Sequence, residues 1–212
     1  MTIIAICGFK GSGKDTIGNY LIQNYNFKRF NFGNALKDVC SIIFGWSRHL
    51  LEGDTPESRE FRETEDKWWS EKLGFKITPR IAFQKIGTDV MRQHFNIDIW
   101  TLIIERKLVE FKKINNTQNI VITDCRFQNE MQMIKSYGGK IISVYRNLPD
   151  WFFSYKTGKT DVPDNIHVSE YEWIRTEFDF EINNDGSYED LYGKLKLYFK
   201  NSNIQNKSIS LF

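Results

Sequence analysis

The sequence predicts an α/β fold, a parallel sheet covered on both faces by helices. Three observations predict it. Five short segments of strand character are separated by longer segments with helical spacing. The first run, Ile3–Cys7, passes straight into GFKGSGKDT (residues 8–16) and then into an amphipathic stretch, which is the order strand, loop, helix. The chain shows no internal repeat, and 212 residues suit one such domain with an embellishment.

Taken in order, Ile3–Cys7 is rich in β-branched residues and ends at Gly8, a buried strand. Over Lys14–Tyr25, residues Ile17, Leu21 and Ile22 fall on one side of a helix. Residues 27–32 (FKRFNF) alternate as a second strand, and Asn34–Phe44 reads as a helix. Residues 45–74 are dense in charge and Trp, with 57–72 read as one mostly solvent-facing helix. Residues 79–95, with Pro79 in the first turn, and 98–112 are two amphipathic helices. NIVIT (119–123) is a third strand, 126–137 a helix closed by Gly138 and Gly139, and Lys140–Tyr145 a fourth strand. Residues 147–165 are polar and turn-rich, a loop or a lid. Residues 178–182 are a fifth strand and 187–199 the last helix, followed by a polar tail over 201–212. Leu211 and Phe212 at its end read either as a docking pair for a homodimer or as inert.

Composition narrows the function. Hydrophobic residues at 41% and charged residues at 26% are ordinary for a soluble domain. A net charge of +2 argues against a nucleic-acid polymer as partner, yet leaves room for a local pocket for a small anion. Cys7, Cys40 and Cys125 form neither a disulfide framework nor a zinc pattern, which points to the reducing cytoplasm. Only three His occur, far apart, so a His-based metal site is not expected. No apolar run approaches the roughly 20 residues of a membrane span. The heavy use of Asn, Ile and Lys fits a viral source with an A/T-rich genome, for which the cytoplasm is the host's.

Gly8, Gly13 and Lys14 fit G-x-x-x-x-G-K. Glycines let backbone N–H groups wrap phosphate oxygens, the next helix adds its positive end, and Lys14 adds a charge for the terminal phosphates. The usual hydroxyl for magnesium comes one residue late, at Thr16, with Asp15 before it. Asp15 reads as a magnesium or acceptor contact, or as a carboxylate favoured in a first helical turn. Asp124 ends the NIVIT strand, beside the loop after strand one in such a sheet. It reads as a magnesium anchor, as the N-cap of the next helix, or as both. Arg126 is a phosphate clamp or a surface cation at a helix start. Over 79–95, Arg80, Gln84, Thr88 and Arg92 recur every four residues as one polar stripe. That stripe suits a phosphate and a base edge, or it is a solvated face. Lys37 is a candidate for the acceptor phosphate. Of Trp68 and Trp69, one stacks on a base or both cap a core edge.

These pieces resemble the phage and large-DNA-virus deoxynucleoside monophosphate kinases. The matching stretches are GFKGSGKDT, NALKDV, LLEGDTPESREFRETEDKWW, ITPRIAFQKIGTDVMRQHFNIDIW, VITDCRFQNEM, GGKIISVYR, IHVSE and INNDGSYEDLY, in order over most of residues 1–195. The resemblance implies a P-loop NTPase three-layer sandwich of nucleoside monophosphate kinase type. It would have a five-stranded parallel sheet, one domain over 1–200, a helical insert at 45–78 and a candidate lid at 147–165. It implies transfer of the ATP γ-phosphoryl group to a deoxynucleoside 5′-monophosphate with Mg2+, the partners being small nucleotides and neither a nucleic acid nor a membrane. By the same resemblance Gly11, Ser12, Gly13, Lys14, Asp15 and Thr16 would hold ATP and metal, and Lys10 and Lys37 would lie near the transferring or acceptor phosphate. Gln84, Thr88, Arg92 and Trp100 would line the acceptor pocket, to which Trp69 and Arg80 are added as candidates. Asp124, Arg126 and Glu130 would face the reaction centre, and Arg146, Asn184, Asp185 and Gly186 the adenine. A dephospho-coenzyme A kinase-like enzyme and a non-catalytic nucleotide-binding module remain as alternatives.

Overall fold

The computed structural model describes residues 1–115 and 117–201, so the tail expected from residue 201 onward lies, from 202, outside the described residues. The sequence reads as one domain over 1–200; the structure groups the chain into two compact units, one of residues 1–31 with the chain from Ile104 onward, the other of 32–103.

The first unit holds the sheet. Its strands are β1 (Ile3–Cys7), β2 (Phe27–Phe30), β3 (Asn119–Ile122), β4 (Lys140–Tyr145) and β5 (Phe180–Asn183), in the order β2-β3-β1-β4-β5 with every pairing parallel. All five residues of β1 are buried, which is why it reads as an unbroken apolar run and not an alternating one. On one face Ile4, Ile6, Val121, Ile142, Val144 and Ile182 pack with Ile17 and Leu21 of α1 (Lys14–Tyr25). Leu191, Leu195 and Phe199 of the last helix, Tyr188–Asn201, complete that core. Against β1 and β4 also lies the helix Gln128–Ser136, with Met131 and Ile134 buried. The strand expected at 27–32 is two residues shorter, and the one expected at 178–182 is shifted toward the C-terminus.

The second unit is helical: α2 (Asn34–Phe44), α3 (Pro56–Glu63), α4 (Lys67–Leu73) and α5 (Pro79–Gln84). The single helix expected over 57–72 is two helices. Thr64 is extended, and the Asp66 side chain accepts from Trp69 N at 3.0 Å as the N-cap of α4. The helix expected over 79–95 changes hydrogen-bond type at its middle. After α5 the residues Lys85–Phe95 are π-helical, closed by Asn96 N donating to Met91 O at 2.8 Å. A second donor acts there, because Trp100 Nε1 donates to Gly87 O at 2.9 Å. Cys40, Trp46, Leu51, Ile77 and Ala82 form this unit's core. Phe44 stacks on Trp46 with ring centroids 4.2 Å apart.

The chain returns to the first unit within α6 (Ile99–Ile114), after which α7 is Gln128–Ser136, α8 is Phe152–Lys156 and α9 is Tyr188–Asn201. The polar stretch 147–165 thus contains a short helix, and it buries Phe152 completely. Leu195→Ala empties a fully buried position between α9 and the sheet and is expected to cost about 2–5 kcal/mol, read as a lowered urea midpoint with an unchanged slope.

Candidate active site

The loop between β1 and α1 takes its shape from its glycines. Gly11 and Gly13 have φ of 80° and 104°, in the region where a side chain is strained. A Cβ on Gly13 would lie 2.4 Å from Asn184 Nδ2, and that nitrogen donates to Ser12 O at 2.8 Å. Asn184, expected near the adenine, is therefore a buried brace of the loop backbone. Ser12 Oγ is buried and has no hydrogen-bond partner among the described residues. Lys14 Nζ donates to Gly8 O at 2.8 Å and to Phe9 O at 2.7 Å, which holds the ammonium over the loop. Burial first, and the neighbouring Arg126 second, lower the Lys14 pKa to about 8.

Phe9 fixes the loop from another side. Its ring makes edge contacts with Trp151, Phe152 and Trp173, at centroid distances of 5.8, 5.9 and 5.2 Å.

The carboxyl end of β3 lies next to that of β1 in the sheet, the place where such folds bind ligands. Thr123 Oγ1 donates to Asp15 Oδ1 at 2.7 Å, and Arg29 Nη1 lies 3.4 Å from the same oxygen. Asp15 is thereby tied to the end of β3 from the first turn of α1. Arg126 is not at a helix start, as its position suggests. Glu130, 2% exposed, accepts from Arg126 N at 2.7 Å and Phe127 N at 3.2 Å, so α7 begins only at Gln128. The cap is built by Phe127 and Glu130, which corrects the reading of Asp124 as the N-cap. Arg126 Nη1 donates to Glu170 Oε1 at 2.5 Å and Ser169 O at 3.2 Å. Its positive charge is strengthened by Glu170, Asp124 and Glu130.

Lys10 and Arg146 are exposed, and Thr16 is half-buried in the first turn of α1. Asp185 is exposed beyond β5, and its N–H donates to Asn183 Oδ1 at 3.1 Å. Gly186 lies against the Asp190 carboxylate.

In the helical unit several predicted contacts are already engaged. Lys37 Nζ donates to Glu52 Oε2 at 2.6 Å, and Glu52 also binds Arg48. Arg80 pairs with Glu63 at 2.6 Å. Arg92 is 4% exposed and donates to Ile97 O at 3.0 Å, which corrects the reading of this stripe as a solvated face. Trp100 is buried through its bond to Gly87. Trp69 caps the core, its Nε1 donating to Phe44 O at 3.0 Å, while Trp68 is exposed. The side chains of Gln84 and Thr88 make no hydrogen bond among the described residues.

Sequence reasoning missed Glu170 as a partner of Arg126 and Phe9 as a packed anchor. IHVSE was visible as a stretch, but nothing local joins Glu170 to a residue 44 positions away.

A glycine loop and its lysine at the switch point of a parallel β2-β3-β1-β4-β5 sheet, with a fixed arginine at the next strand end, define a P-loop kinase. The solved structure of TT1252 from Thermus thermophilus has this fold, with a TM-score of 0.50 and 17% identity over 94% of this chain and 97% of that one. A family model described as deoxynucleotide monophosphate kinase matches residues 49–195. A protein of Acanthamoeba polyphaga mimivirus, provisionally named a deoxynucleotide monophosphate kinase, is 30% identical over 97% of this chain and all of its own length. The deoxynucleotide monophosphate kinase of Enterobacteria phage T4 is 23% identical over 92% of this chain and 98% of its own. The chain belongs to the deoxynucleotide monophosphate kinase family, and the protein is a phosphotransferase.

Two outcomes follow from the loop. Gly13→Ala adds backbone strain and a clash with Asn184, on the order of 1–3 kcal/mol, and should lower both the unfolding midpoint and ATP affinity. Phosphates bound beside Lys14 would favour its ammonium, so ATP bound there should take up a proton and bind more weakly as pH rises through about 8. Calorimetric titrations in two buffers of different ionisation enthalpy read this directly, and equal heats in both would refute it.

Proposed function

We propose that the protein transfers the γ-phosphoryl group of ATP to the 5′-phosphate of a deoxynucleoside monophosphate in the cytoplasm, that of the host cell for a viral source. The observation that carries this reading is the pair of fixed cations, Lys14 in the loop after β1 and Arg126 beyond β3, within electrostatic reach of each other.

Phosphoryl transfer needs positioning and charge neutralisation more than covalent chemistry. Backbone N–H groups of Gly11, Ser12 and Gly13 would bind the donor's β- and γ-oxygens, and Lys14 would bridge them. Arg126 would neutralise the charge that builds on the phosphoryl group in flight. Among the described residues no three His, Cys, Asp or Glu cluster as a preformed cage. Mg2+ needs none, since it keeps waters and takes phosphate oxygens, with one or two protein oxygens. Thr16 and Asp124 would supply that donor set, and Mg2+ would add Lewis-acid charge neutralisation at the phosphates.

Gln84 and Thr88, whose polar atoms are uncommitted, are the best-supported acceptor contacts of the helical unit. Lys37, Arg80, Arg92, Trp69 and Trp100 would support them, with Lys10 near the phosphates. Arg146, Asp185 and Gly186 would serve the adenine side, and 147–165 would exclude water. No helix among the described residues is long and apolar enough to cross a membrane.

The test is ADP release from ATP and Mg2+ across deoxynucleoside and ribonucleoside monophosphates, dephospho-coenzyme A and a no-acceptor control. Stimulation by deoxynucleoside monophosphates is expected, and release only with dephospho-coenzyme A or with none would sink the reading. Lys14→Ala should lower turnover by on the order of 10²–10³-fold with the fold intact, as loss of one preorganised charge does elsewhere.

A further inference from the structure

We propose that Glu170 is a positioning residue for phosphoryl transfer: it clamps Nη1 of Arg126 and leaves the Nε–Nη2 edge of the guanidinium for phosphate oxygens. The inference rests on the reading in which Arg126 serves the transferring phosphate.

Arg126 is held at both ends. Its backbone N–H is fixed by Glu130, and its Nη1 by Glu170 Oε1 at 2.5 Å and Ser169 O at 3.2 Å. Neither Nε nor Nη2 has a hydrogen-bond partner among the described residues, and 29% of the side chain remains exposed. An arginine binds a phosphate through two parallel N–H groups on one edge of its planar fork. Glu170 takes a single nitrogen, so one such edge stays open. A carboxylate acting as an inhibitory plug would have to fill the fork.

The clamp is itself anchored. His167 Nδ1 accepts from Ser169 N at 3.2 Å, and Trp173 Nε1 donates to Glu170 O at 2.9 Å. Trp173 is 1% exposed, and its ring packs on Phe9 of the phosphate loop. The segment that positions Arg126 therefore also backs the loop that carries Lys14. Charge gives a second reason for it. Arg126 works against the Lys14 ammonium, and the carboxylates of Asp15 and Glu170 work for it; around Arg126 the anions are Glu170, Asp124 and Glu130. Without Glu170, two cations would lie close together with less to keep the longer one in place.

The experiment measures kcat and KM for the full chain and for Glu170→Gln, Glu170→Ala, Arg126→Ala and both double variants. Glu170→Gln keeps the shape of the side chain, so it answers the question even where Glu170→Ala unfolds. Expected for Glu170→Gln is a fall in kcat of about 10²-fold, the scale of a misplaced group, with KM for ATP nearly unchanged. In the Arg126→Ala background the same substitution should lower kcat no further, because Glu170 acts through Arg126. A kcat at or above wild type, or equal losses in both backgrounds, overturns the proposal. Wild-type protein with no acceptor-dependent ADP release sinks the proposed function instead. The clamp rests on that reading and falls with it, whereas an active wild type with an unaffected Glu170→Gln variant overturns the clamp alone.

Discussion

Lys14 and Arg126 repel one another, and the sheet unit is organised around keeping both charged where neither is well solvated. Backbone carbonyls of Gly8 and Phe9 take the ammonium, and Glu170, Asp124 and Glu130 surround the guanidinium. The cost shows in Lys14, whose proton is held more loosely than that of a free lysine. Such an arrangement is poor for stability, and a polyphosphate bound there would relieve the repulsion that the protein alone must contain.

The rest of the unit supplies rigidity. β1 is buried along its whole length between β3 and β4, so the loop leaves from a fixed end. The loop is then held by three unlike contacts: the Asn184 amide on Ser12 O, the Phe9 ring among Trp151, Phe152 and Trp173, and Lys14 on its own loop. Polar, aromatic and charged restraints on one short loop leave it little freedom, which suits a site that works by positioning.

The strands were legible because a buried parallel strand has no solvated face and reads as an apolar run. Ile3–Cys7 and Lys140–Tyr145 were bounded correctly for that reason. The phosphate loop was legible because its demands are local: glycines for φ, a lysine, then a helix. The break at Thr64–Asp66 was hidden by uniform charge, although Asp66 is a good capping residue. The π-helical turn after Gln84 was hidden because four-residue spacing suits a wider turn about as well as an α-helix. The Arg126–Glu170 and Asn184–Ser12 contacts span 44 and 172 positions, and no periodicity encodes contacts made only by packing.

The bond from Asn184 to Ser12 also bears on the order in which the molecule is completed. A chain leaves the ribosome N-terminus first, so Gly8–Thr16 is made before the segments that pack around it. Both strands that flank β1 come much later, at Asn119–Ile122 and Lys140–Tyr145. The brace on the loop comes later still, just after β5. The loop is therefore made well before the contacts that hold it, and it can take its final shape only once the segment carrying Asn184 has been made.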